Sequence, residues 1–147
     1  MPFGKISEPG TETPTLTFNT IGRHQSRISR VRVVNNASPW LSKINEGDVF
    51  TVPISHGEGR ITAGESEWER LKAAAVTQYV DVAGNPLMDI SVNPNGGLFA
   101  LEGIMSEDGR VLGKMGHSER ISASTYKNVP GEYDMKLFES AAEYFRK

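Results

Sequence analysis

The sequence predicts an α/β domain whose strands pair antiparallel toward the C-terminal half. Three observations carry this expectation. Residues 28–34 alternate apolar and basic side chains, the period of a half-buried strand. Residues 98–105 and 110–115 are apolar runs joined by Ser106-Glu107-Asp108-Gly109, and an Asp-Gly pair between such runs signals a hairpin. Residues 66–76 and the segment opened by Asp134 carry apolar side chains at helical spacing.

Taken in order, residues 1–15 read as a loop or an unpaired edge. A strand follows over 28–34 and a second over 48–54, where Pro53 places the strand end near a sheet edge. Ser66 and Glu69 have the spacing of a capping box for a helix over 66–76, with Trp68, Leu71 and Ala75 on one face. Residues 77–82 are a strand, and the hairpin comes next. Met135, Phe138, Ala142 and Phe145 form the core stripe of a last helix.

A chain of 147 residues is about one domain long and can bury a real core. A net charge of −2 gives no electrostatic reason to expect nucleic acid or an acidic membrane as partner. No apolar run nears the ~18 residues of a membrane span, and the polar start lacks the apolar centre of a signal peptide. A cytoplasmic location is the expectation. The chain has no cysteine, which removes disulfides, thiolate metal sites and a cysteine nucleophile from within it.

Chemistry concentrates in three polar loops beside strands. His56 and Glu58 are bracketed by Gly57 and Gly59, Asn93 to Gly97 reads Asn-Pro-Asn-Gly-Gly, and His117 and Glu119 follow Gly116. In extended chain, residues i and i+2 share a face ~7 Å apart, so a Glu carboxylate can reach back to His Nδ1 and leave Nε2 free. That is the base and orienter of a nucleophilic relay, with Ser118 pointing the other way. The two His-x-Glu pairs also suit a metal, and either pair alone is commonly a surface contact. Arg27, Arg30 and Arg32 read as a solvated strand face.

The strings "PISHGEGR", "QYVD" with "GNP", "NPNG" and "DGRVLG" with His117, Glu119 and Arg120, in this order, resemble the glutaminase domain of phosphoribosylformylglycinamidine synthase. "PTLTFNTIGRHQSRI" and "SPWL" resemble the same family. The resemblance runs over essentially the whole chain. It implies the class I glutamine amidotransferase fold, a flavodoxin-like three-layer α/β architecture with a mixed sheet. Residues 1–147 would be the C-terminal part of that domain, without the upstream segment that bears the family's cysteine. His117 and Glu119 match the His and Glu of a Cys-His-Glu triad. Asn95, Gly96 and Gly97 match a glutamine-binding loop, with His56 and Glu58 at the same mouth. No metal or cofactor is implied in this chain, whereas the synthetase domain of the parent enzyme uses ATP and Mg. Glutamine and that synthetase domain are the implied partners, and dimerisation through the exposed edge is a further expectation.

Two positions depart from the family pattern. Prolines flank the family's histidine, whereas Gly116 and Ser118 stand here, and glycine frees the backbone that proline fixes. The family's loop ends in Ser where this chain has Gly97. Two alternatives stay open on residues alone: a docking module without catalysis, and a metal-dependent hydrolase using both His-x-Glu pairs.

Overall fold

The computed structural model describes residues 12–146, so most of the expectation for residues 1–15 lies outside the described residues. Five strands form the main sheet: β2 (Gln25–Val33), β3 (Val49–His56), β5 (Ala75–Tyr79), β6 (Leu101–Met105) and β7 (Leu112–Lys114). Their order is β3-β2-β5-β6-β7. A smaller sheet pairs β1 (Thr15–Thr17) with β4 (Arg60–Thr62). Helix α1 (Trp68–Ala73) precedes β5, and α2 (Leu137–Phe145) ends the described chain.

Strands and helices mix as the sequence predicts. Each pairing among the described strands is antiparallel, where the resemblance implies a mixed sheet. Parallel neighbours need long crossover connections. Here β6 and β7 are joined by a short loop, residues 106–111, that favours antiparallel return. The hairpin stands where Asp108-Gly109 puts it, with Gly109 at φ 69°. Pro53 lies on β3, an edge strand, as its missing N–H requires.

Two apolar clusters hold the layers. Val31, Val33, Phe50, Val52, Ile54, Val76 and Tyr79 meet Leu41, Met135 and Leu137 in the larger. Ile61, Leu71, Ala75 and Leu101 form the smaller, so α1 is held by its Leu71. Register shifts between Ala75 and Gln78 bend β5, and Gly103 lets it approach β6: a Cβ there would sit 2.5 Å from Thr77 Oγ1.

Three local expectations are corrected. The helix over 66–76 shrinks to one 3-10 turn at Glu65–Glu67 and the short α1. Ser66 does not cap it, because its hydroxyl donates to Glu12 Oε2 at 2.9 Å. Ala75 and Val76 join β5, where both are buried against the neighbouring strands. The last helix opens at Leu137 because Lys136 adopts φ 54°. Starting later turns the buried stripe to Leu137, Ser140 and Ala141 and leaves Phe138 62% exposed. Phe145 instead lies on the surface, its ring centroid 6.1 Å from that of Trp40.

Candidate functional site

The chain leaving β7 does not run off into solvent. It curls back to the opposite edge of the sheet, where the His117 N–H donates to the Pro53 carbonyl at 2.8 Å. A single 3-10 turn, Ser118–Arg120, follows at once. This turn, rather than an extended strand, brings the Glu119 carboxylate back, and Oε1 lies 2.6 Å from His117 Nδ1. The His117 side chain is 26% exposed, open enough for a reactant and sheltered enough to be held. Ser118 turns the other way, its Oγ buried toward a hollow lined by Ile121 and Met135.

Burial pushes the Glu119 carboxyl up. Its own backbone N–H, the His117 contact and the Arg120 charge outweigh that and hold it below its ordinary value. Glu119 is therefore ionised at neutral pH. It fixes the Nδ1–H tautomer of His117 and leaves Nε2 as the basic nitrogen.

The two glycine-rich loops meet at the end of β3. His56 Nε2 lies 2.9 Å from Asn95 Oδ1, and Asn95 Nδ2 donates to the buried Tyr79 hydroxyl at 3.1 Å. Gly59 makes this possible, since a Cβ there would overlap the His56 ring. Asn19 and Thr20 tie the loops together. The Asn19 amide donates to the His56 carbonyl at 2.8 Å and its oxygen accepts the Gly59 N–H at 3.0 Å, while the Thr20 hydroxyl donates to the Asn95 carbonyl. Gly96 has φ 72°, and a Cβ on it would overlap Thr20. Asn95 is fully buried, so it shapes the wall of the site from within. Gly96 is half-buried, Gly97 buried, and Glu58 is exposed beside the loop.

The sequence-predicted residues thus fall into a His117–Glu119 pair and a His56–Asn95 cluster, both anchored on β3. Among the described residues no three His, Cys, Asp or Glu side chains stand as a metal-holding group, so the joint metal reading of the two His-x-Glu pairs finds no geometry. No helix among them is long and apolar enough to cross a membrane.

Sequence reasoning missed Asn19, Thr20 and Tyr79, which lie inside strings that carry the resemblance but bear no chemical signal of their own. It also missed Glu102 and Lys114, whose signal was available. Glu102 is the one charge in the run 98–105, and Lys114 stands at the apolar end of the run 110–115. Glu102 is fully buried and accepts from Lys114 Nζ at 2.8 Å, from Thr77 Oγ1 and from the Gly116 N–H. Burial drives this carboxyl up, and Lys114, Thr77 and Gly116 together bring it below its ordinary value.

The description "CobB/CobQ-like glutamine amidotransferase domain" matches residues 1–145. The chain belongs to this amidotransferase family. Within the family, it is 37% identical over 144 residues to the phosphoribosylformylglycinamidine synthase subunit PurQ of Methanosarcina mazei. It is 33% identical over 144 residues to that of Methanosarcina acetivorans. Each alignment covers 97% of this chain and 60% of the relative. A solved structure of PurLQS from Thermotoga maritima superposes with a TM-score of 0.67 at 27% identity, over 92% of this chain and 55% of that one. The amidotransferase chain described here therefore spans about 60% of the length of the curated relatives it matches.

Burial lowers the His56 imidazole below its ordinary value. The Asn95 contact opposes this, and the charges of His117 and His24 add to it. A base with a lowered folded value favours the neutral form in the native state. Its stabilisation is present above ~6.5 and is lost as pH falls below that toward the folded value. The urea midpoint is expected to drop as pH falls from ~7.5 to ~5.5. His56→Gln should flatten that slope, and an unchanged slope would place the pH dependence elsewhere.

Proposed function

We propose that this chain carries the base and orienter of a glutaminase site in phosphoribosylformylglycinamidine synthase. The observation that carries the reading is the 2.6 Å His117–Glu119 contact at the end of the returning β7 segment, in a chain of this family. A cysteine thiol from a segment outside this chain attacks the glutamine amide carbon. His117 Nε2 takes the thiol proton and returns it to the departing ammonia, leaving a thioester. His117 then takes a proton from water as the water oxygen attacks the thioester carbon; the C–S bond breaks and the proton passes to the thiolate, releasing glutamate and the free thiol. Glu119 holds the ring and balances the imidazolium.

The ammonia passes to a synthetase partner, which uses ATP and Mg to convert formylglycinamide ribonucleotide to formylglycinamidine ribonucleotide. The glutaminase step uses no cofactor, and the enzyme works in the cytoplasm. Large apolar side chains stand exposed at Phe18, Val82 and Met88, surface that suits packing against the rest of the protein or a second copy. The zero cysteine count favours one other reading, a docking module without catalysis.

The test is ammonia release from glutamine by the isolated chain and by the longer protein that carries it. The isolated chain is expected to be inactive, and the longer protein active, insensitive to chelators and blocked by iodoacetamide. Chelator-sensitive turnover in either would overturn the triad, and an inactive longer protein would favour docking.

A further inference from the structure

We infer that Glu102 and Lys114 form a buried clamp on the backbone of Gly116 that sets the position of His117. Glu102 lies in mid-β6 with no exposed surface. Its Oε1 accepts the Gly116 N–H at 2.5 Å and Lys114 Nζ at 2.8 Å, and its Oε2 accepts the Thr77 hydroxyl at 2.5 Å. Lys114 Nζ also donates to the Gly116 carbonyl at 3.2 Å. Both backbone polar groups of residue 116 are thus held by opposite ends of one ion pair. The next backbone group, the His117 N–H, is held by Pro53. Three consecutive polar groups are fixed immediately before the ring that Glu119 must meet.

Two features separate this from an ordinary strand contact. A buried ion pair is weak evidence of stability, because desolvation offsets its attraction and an apolar pair of similar volume packs as well. Here both charges are aimed at one peptide segment, which an apolar pair could not grip. Gly116 is also fitted to the clamp. A Cβ would lie 2.8 Å from Glu102 Oε1, 2.9 Å from Lys114 Nζ and 2.9 Å from Val52 Cβ. The residue that frees the backbone is the one most tightly bound. Glu102 and Lys114 act through Gly116 and His117, so they are positioning residues.

The catalytic consequence rests on the glutaminase reading, whereas the clamp itself does not. The longer protein, labelled with ¹⁵N in glycine and histidine, is compared with Glu102→Leu/Lys114→Met and with Glu102→Gln. In the wild type the Gly116 amide proton is expected far downfield and slow to exchange. In the apolar pair variant its exchange should rise by about tenfold or more, and the His117 ring resonances should move. Glutamine-dependent kcat should fall about 10–100-fold with KM unchanged, the effect of a small misplacement of a catalytic group. Should the pair variant not fold, Glu102→Gln decides on the same two resonances. Unchanged Gly116 exchange and His117 resonances in a folded variant would overturn the clamp. Resonances that move while ammonia release proves independent of His117 would support the clamp and defeat the glutaminase reading.

Discussion

Replacing His117 by Ala in the longer protein is expected to reduce glutamine-driven synthesis by about three orders of magnitude or more, while synthesis from added ammonia continues. The size follows from the double role proposed for it. Without the imidazole the thiol is not activated, and the departing nitrogen has no acid to protonate it. Free ammonia bypasses both steps. The fold should survive, because the side chain is partly exposed and its backbone N–H to Pro53 is retained in Ala. Both nitrogen sources are assayed in parallel, with thermal unfolding as the control. Equal loss from glutamine and from ammonia would assign His117 to coupling or structure. A glutamine rate within a few-fold of wild type would remove it from the mechanism.

The second large effect is on stability, at Gly116. Proline there would match the pattern common in the family and would be expected, on pattern alone, to stabilise. The structure reverses the sign. Proline removes the N–H that Glu102 accepts, leaving a fully buried carboxylate short of a donor. It also pushes carbon into Glu102, Lys114 and Val52. Together these should cost about 2–5 kcal/mol. Gly116→Ala keeps the N–H and separates the two terms, so it should cost less. In the Glu102→Leu/Lys114→Met background the hydrogen-bond part vanishes, and the cost of Gly116→Pro should shrink. Urea unfolding of the four combinations measures this coupling. A Gly116→Pro protein as stable as the wild type would show that the Glu102 contact carries no weight.

Much of the site was legible without coordinates. His117 and Glu119 stand in a short spacing whose chemistry is local, so sequence alone pairs them. The 2.6 Å contact follows even though a 3-10 turn replaces the expected extended chain. The hairpin at Asp108-Gly109 and the half-buried strand β2 were also set locally, by turn chemistry and by a two-residue period. The resemblance over four motifs supplied the family, which the match over residues 1–145 bears out.

Only the tertiary structure decided where long-range partners fall. Ala75 and Val76 have helical neighbours, yet burial between strands draws them into β5. The stripe of α2 turned because Lys136 delays the helix start, which no periodicity encodes. Asn95 reads as a ligand-facing loop residue but is fully buried between His56 and Tyr79, which lie 39 and 16 positions away. Gly116 reads as a loosening of the histidine loop. Folding turns it into the point held by Glu102 and Lys114, because the cost of burying a carboxylate is met only where several donors converge from different strands. Spacing along the chain sets which groups can react, and convergence of distant strands sets how firmly they are held.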